Sequence, residues 1–151
     1  MNTWSSARTS RVTAAGEHQP SYAPSPILPL SRMSEARTIF VVIRKDLQKV
    51  LNWPLGSIVT QGCHASTAVI WKYRDDERVK AYTSNLESMH KVALETKNEA
   101  SLLKMAENLK QREIPFHLWI EQPENIPTCL ATIPVMRSDL GDALKKCQLM
   151  R

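Results

Sequence analysis

The sequence predicts an α/β fold of three layers, α/β/α, with helices covering a mixed sheet of about four strands in the order β-α-α-β-α-β-β-α. Three observations point there. Thr38, Ile39, Phe40, Val41, Val42 and Ile43 form an unbroken apolar run rich in β-branching, the pattern of a strand buried on both faces. Between residues 55 and 74, a step of 100° per residue gathers Ile58, Val59, Gly62, Ala65, Ser66, Val69 and Ile70 into one arc, the pattern of a helix with one buried side. Beyond it, strand-like and helix-like runs alternate, which suggests helices layered on a sheet.

The first strand ends at Arg44-Lys45-Asp46, and a Trp53-Pro54 break precedes the long helix, with Pro54 near its first turn. On that helix Ser57, Gln61, His64, Ala68 and Lys72 share a flank beside the apolar arc, while Cys63 falls at the arc's far edge and is expected in the core. Asp75-Asp76-Glu77 opens a short helix carrying Val79 and Tyr82, because acids favour a helix N-terminus. Residues 91–94 read as the second strand. Asn98 caps the next helix, whose Leu102, Leu103, Ala106 and Leu109 recur at core spacing. Residues 116–120 make the third strand, with Trp119 expected in the core. Residues 128–135 make the fourth, which Pro134 places at an edge. Ser138 caps a last helix that turns Leu140, Ala143, Leu144 and Cys147 inward.

A chain of 151 residues fits one domain with its own core. Hydrophobic residues at 42% and charged residues at 23% lie near globular averages, which argues against disorder throughout. Composition changes near Met33. Before it come Ser, Thr, Ala and scattered Arg, then Pro20, Pro24, Pro26 and Pro29, a density that opposes helix and strand alike. Residues 1–36 are therefore expected to be a disordered tail and 37–151 the folded domain. Before Met33, Arg8, Arg11 and Arg32 face only Glu17 among acids, a presequence-like composition, and Met33 offers a second start. Cys63, Cys129 and Cys147 lack CxxC spacing, which suggests no zinc site and no disulfide framework and fits a reducing compartment. The expected location is cytoplasmic, with the mitochondrion as the alternative the tail suggests. No apolar run nears the ~20 residues that span a bilayer, so no membrane partner is expected. A formal net charge of +5 favours an anionic partner such as nucleic acid.

P-loop, GxGxxG, HExxH and GxSxG motifs are absent, leaving kinase, dinucleotide, zincin and serine-hydrolase chemistries without local support. The main candidate is Gln61-Gly62-Cys63-His64-Ala65. Gln61 and His64, three apart on a helix, can converge, one to donate to a carbonyl or position water and one to exchange protons. Arg44 and Lys45 follow a strand's C-terminal end, where α/β sheets tend to place ligands and cations can hold phosphates. Glu121 and Glu124, after the third strand, offer carboxylates.

In order, these segments resemble the second-type peptidyl-tRNA hydrolases. Val42-Ile43-Arg44-Lys45-Asp46-Leu47, then Gly56 and Gln61-x-x-His64-Ala65, resemble that family's opening strand and first helix. Lys91-Val92-x-Leu94 resembles its second strand, and Thr128-Cys129-Leu130-Ala131 through Pro134 its last. The resemblance implies cleavage of the ester joining a peptide to the 3′ end of tRNA, with tRNA or peptidyl-tRNA as partner and neither metal nor cofactor. It leaves a homodimer open. On that pattern Gln61 and His64 activate water and polarise the carbonyl, and Thr128 keeps the family's residue type. Glu121 or Glu124 orients, and Arg44, Lys45 and Lys91 hold phosphates.

The chain also departs from the pattern. Ser57 stands where the family has a lysine, Glu95 where it has a second lysine, and Glu121-Gln122-Pro123 where it has an Asp-Ala-Gly loop. One unit of charge at 57 and two at 95 shift the site by three units toward negative. That weakens stabilisation of an oxyanion and attraction for phosphates. Three functions share this sequence: a hydrolase of peptidyl-tRNA, a tRNA- or ribosome-binding module without turnover, and a protein-interaction domain using the loop near Glu121. Salt-sensitive RNA binding separates the first two from the third, and ester turnover separates the first from the second.

Overall fold

The computed structural model of the chain describes residues 35–151. The tail and Met33 therefore lie outside the described residues, apart from Glu35 and Ala36. Five strands form one mixed sheet in the order β3-β4-β1-β2-β5: β1 (Thr38–Arg44), β2 (His90–Thr96), β3 (Phe116–Glu121), β4 (Ile126–Thr132) and β5 (Gln148–Leu149). β1 runs parallel to β2 and antiparallel to β4, while β3 and β5 pair antiparallel with β4 and β2. The expected α/β class holds, with β5 as a fifth strand. It is only two residues long, too short to carry a period of its own.

Alternation along β1 decides the layers. Val41 and Ile43 face α2 (Leu55–Lys72), which presses on them through Gly62: a Cβ there would stand 3.3 Å from Ile43 Cδ1. Phe40, Val42 and Arg44 face the other way, toward α4 (Glu99–Gln111). Ile58, Ala65 and Val69 of α2 and Leu102, Met105 and Leu109 of α4 are buried against the two faces of the sheet. Two short helices complete the order around α2: α1 (Asp46–Lys49) before it and α3 (Glu77–Thr83) after it. α3 starts where the acids predict, with the Asp76 carboxylate accepting from the backbone N–H of Arg78 at 2.8 Å, and it buries Val79 and Tyr82. Asn98 caps α4 by accepting from the N–H of Ser101.

Two expectations need correction. β4 is interior, between β3 and β1, because Pro134 lies beyond the strand and costs it no ladder bond. The last helix, α5 (Arg137–Leu140), is a single turn: Gly141, at φ +53°, ends it, and turns carry the chain onward. Leu140, Ala143 and Leu144 are buried nonetheless. Ser138 does not cap that turn with its side chain. Its backbone N–H donates to the carboxylate of Glu35, so α5 is held by a residue just before β1.

Candidate active site

Gln61 lies on α2, two turns in, and is 1% exposed, far more buried than its expected flank position suggests. Its Oε1 accepts from the Thr128 hydroxyl at 2.6 Å, and its Nε2 donates to the Ser57 carbonyl at 3.2 Å. Thr128 reaches the helix because β4 bulges. One step along β3, from Trp119 to Ile120, matches two along β4, from Cys129 to Pro127, so Thr128 is the extra residue. Cys129 pairs with Ile43 and shares its face toward α2. Strict alternation would turn Thr128 away from that helix, and the bulge re-aims it.

His64, also on α2, is exposed and stacks on Trp119 of β3, with ring centroids 4.5 Å apart and planes at 13°. The indole N–H donates to Glu121 at 2.6 Å, and His117 tilts against the indole at 6.2 Å. Because Trp119 pairs with Cys129, next to Thr128, these rings adjoin the Gln61–Thr128 bond. Burial, then the charge of Lys72, hold the His117 pKa below its usual value.

The remaining expected site residues separate. Glu121 enters the site through Trp119, whereas Glu124 is exposed in the β3–β4 turn. The Arg44 guanidinium is buried, bonded twice to Asp46 (2.9 and 2.7 Å) and also to Glu99 (2.8 Å) and the Pro127 carbonyl (2.9 Å). The Asp46 bonds foremost, against burial, raise its pKa further. With four of its five N–H donors engaged, it braces β1 against α4 and the start of β4. Lys45 lies 3.5 Å from Glu95, which neutralises its charge. Lys91 stands across α2 from His64, over the Tyr82 ring, at the rim of a groove of about 510 Å³ that Val41, Ile43, Val59 and Ala93 make largely apolar.

Cys63 is exposed in that same groove, not in the core, because α2 sits over β3, β4 and β1 and leaves this side of β2 uncovered. Trp119, expected in the core, is half-buried and at the centre of the aromatic cluster. The spacing His117-x-Trp119-x-Glu121 held that information, since alternate residues of a strand share a face. Among the described residues no group of three or more acids, histidines or cysteines could hold a metal ion, and no helix is long and apolar enough to cross a membrane.

Comparison with known proteins bears on family and fold. The family model described as "Peptidyl-tRNA hydrolase PTH2" matches residues 38–150. The human protein named "Putative peptidyl-tRNA hydrolase PTRHD1" is 44% identical over 113 residues, covering 74% of this chain and 81% of that one. Its mouse counterpart, under the same name, is 43% identical over the same shares. A solved Agrobacterium protein of unknown function, Atu0240, superposes with a TM-score of 0.54 at 14% identity, covering 76% of this chain and 97% of its own, a likeness of fold. By the extent of the family match and the identity to these relatives, the chain belongs to the PTH2 family of peptidyl-tRNA hydrolases.

Proposed function

We propose that the chain hydrolyses the ester between a peptide and the 3′ end of tRNA at the Gln61–Thr128 pair. The observation that carries this reading is the buried 2.6 Å bond between them. With Oε1 fixed by Thr128 and one N–H on Ser57, the second N–H of Gln61 Nε2 is left to donate to the ester carbonyl. Water attacks the acyl carbon, and charge builds on the carbonyl oxygen, where a pre-aimed donor is most effective. The acyl–oxygen bond then breaks, releasing the ribose hydroxyl and the peptide acid, which loses water's second proton to solvent. His64 takes the proton from water at a ring nitrogen and returns it to the leaving oxygen. Glu121 holds Trp119, and Trp119 holds His64.

A second reading, RNA binding without turnover, draws on Ser57 and on the Lys45–Glu95 pair, which leave the carbonyl site with less positive charge than the family pattern provides. Peptide release from a purified peptidyl-tRNA separates the two. Under the hydrolase reading wild type releases peptide, and His64→Ala slows release by ~10² while thermal denaturation is unchanged. No release by wild type would favour the binding module.

A further inference from the structure

The flat contact between His64 and Trp119 has the form of a platform. The indole is fixed by its bond to Glu121 and by His117 against it. One face of the imidazole lies on that indole, and the exposure of His64 leaves the other to solvent. Lys72 lies on the same flank of α2, eight residues on, or ~12 Å along the axis. It is near enough to His117 for its charge to disfavour a protonated imidazole there. Stacked rings followed by a cation are the means by which proteins hold single-stranded nucleic acid, with bases on the rings and phosphates on the cation.

We propose that this strip binds the unpaired 3′ end of tRNA, the terminal adenine stacking on the open face of His64 and Lys72 holding a phosphate of the preceding strand. The inference rests on the hydrolase reading for its ligand. It moves RNA contact away from Arg44, which is buried, from Lys45, which is paired with Glu95, and from Lys91, which lies across α2 from the rings, to Lys72, whose ammonium lies 5.2 Å from the centroid of the Tyr73 ring. It is compatible with proton transfer by His64, because stacking uses the faces of a ring and proton transfer uses its edge. The acid beside the strip, Glu121, accepts from the indole.

The test uses the full chain and a short single-stranded RNA ending in ACCA with a free 3′ hydroxyl, beside the same RNA with an abasic last residue, followed by fluorescence anisotropy. Wild type should prefer the intact end by about tenfold, the scale of base stacking on an aromatic ring. His64→Phe, which keeps a flat ring, should hold that affinity within about twofold, and His64→Ala should lose the preference. Lys72→Ala should weaken both RNAs alike and flatten the salt dependence. In peptide release, His64→Phe should lose kcat at an unchanged KM, while His64→Ala loses both. Equal affinity of wild type and His64→Ala, a loss in His64→Phe as large as in His64→Ala, or no binding by wild type would each overturn the proposal. If wild type released peptide in such a case, the hydrolase reading would stand without it.

Discussion

Arg44 and Lys45 are neighbours in sequence with opposite fates. Arg44 ends β1 on the α4 side and spends its charge on Asp46 and Glu99, while Lys45 is about one-third exposed. Arg44→Ala should therefore cost ~3 kcal/mol in chemical denaturation, since it orphans buried partners. Lys45→Ala should change stability by less than ~0.5 kcal/mol. Equal, small effects of the two would refute the brace. The sequence placed both residues correctly at a strand end, but nothing in it shows that Glu99, fifty-five residues on, lies 2.8 Å from the guanidinium. Family spacing singled out Gln61, His64 and Thr128, and the structure joins Gln61 to Thr128 by a hydrogen bond. Gln61 looked like a flank residue because a helical wheel cannot know that β4 bulges to meet it.

Elements whose ends are set by local chemistry were the ones that sequence resolved best. α3 begins at Asp76 because its carboxylate satisfies a first-turn N–H, and the Arg78 guanidinium bonded to it holds that carboxyl at about 2. A carboxyl depressed on folding adds stability above its unfolded value, near 4, and that stability is lost as pH falls toward 2. Asp76→Ala should thus cost ~1 kcal/mol at neutral pH. The gap between wild type and variant should close by pH 2, and a gap constant with pH would contradict the pairing. The last helix was misjudged for the opposite reason. Its inward pattern is real, but Gly141 adopts a left-handed φ beside Arg112, whose guanidinium pairs with Asp142. A Cβ at 141 would displace the flexible end of Arg112 at little cost, but the φ of +53° strains any residue with a side chain. Gly141→Ala should therefore lower stability by more than ~1 kcal/mol, measured by thermal denaturation.

Across the whole molecule, the class of fold followed from one buried strand and one amphipathic helix, whereas strand order and the fifth strand depend on pairings that sequence patterns do not encode. The family resemblance sets lysines where this chain has Ser57 and Glu95. Ser57→Lys with Glu95→Lys restores two cations and removes the acid beside Lys45. The pair should raise the rate of peptide release, and a double variant no faster than wild type would show that these positions do not limit it. Removing residues 1–32 while keeping Glu35 and its bond to Ser138 should leave the melting temperature unchanged, as expected of a tail with little to bury. A fall of several degrees would show that the tail packs on the domain. The Gln61 amide is the donor on which the proposed hydrolysis depends, and Gln61→Met keeps its volume while removing that donor. Single-turnover peptide release from peptidyl-tRNA should be measurable for wild type and slower by ~10² for Gln61→Met, with the fold intact by circular dichroism. Release by Gln61→Met at the wild-type rate, or none by wild type, would contradict it.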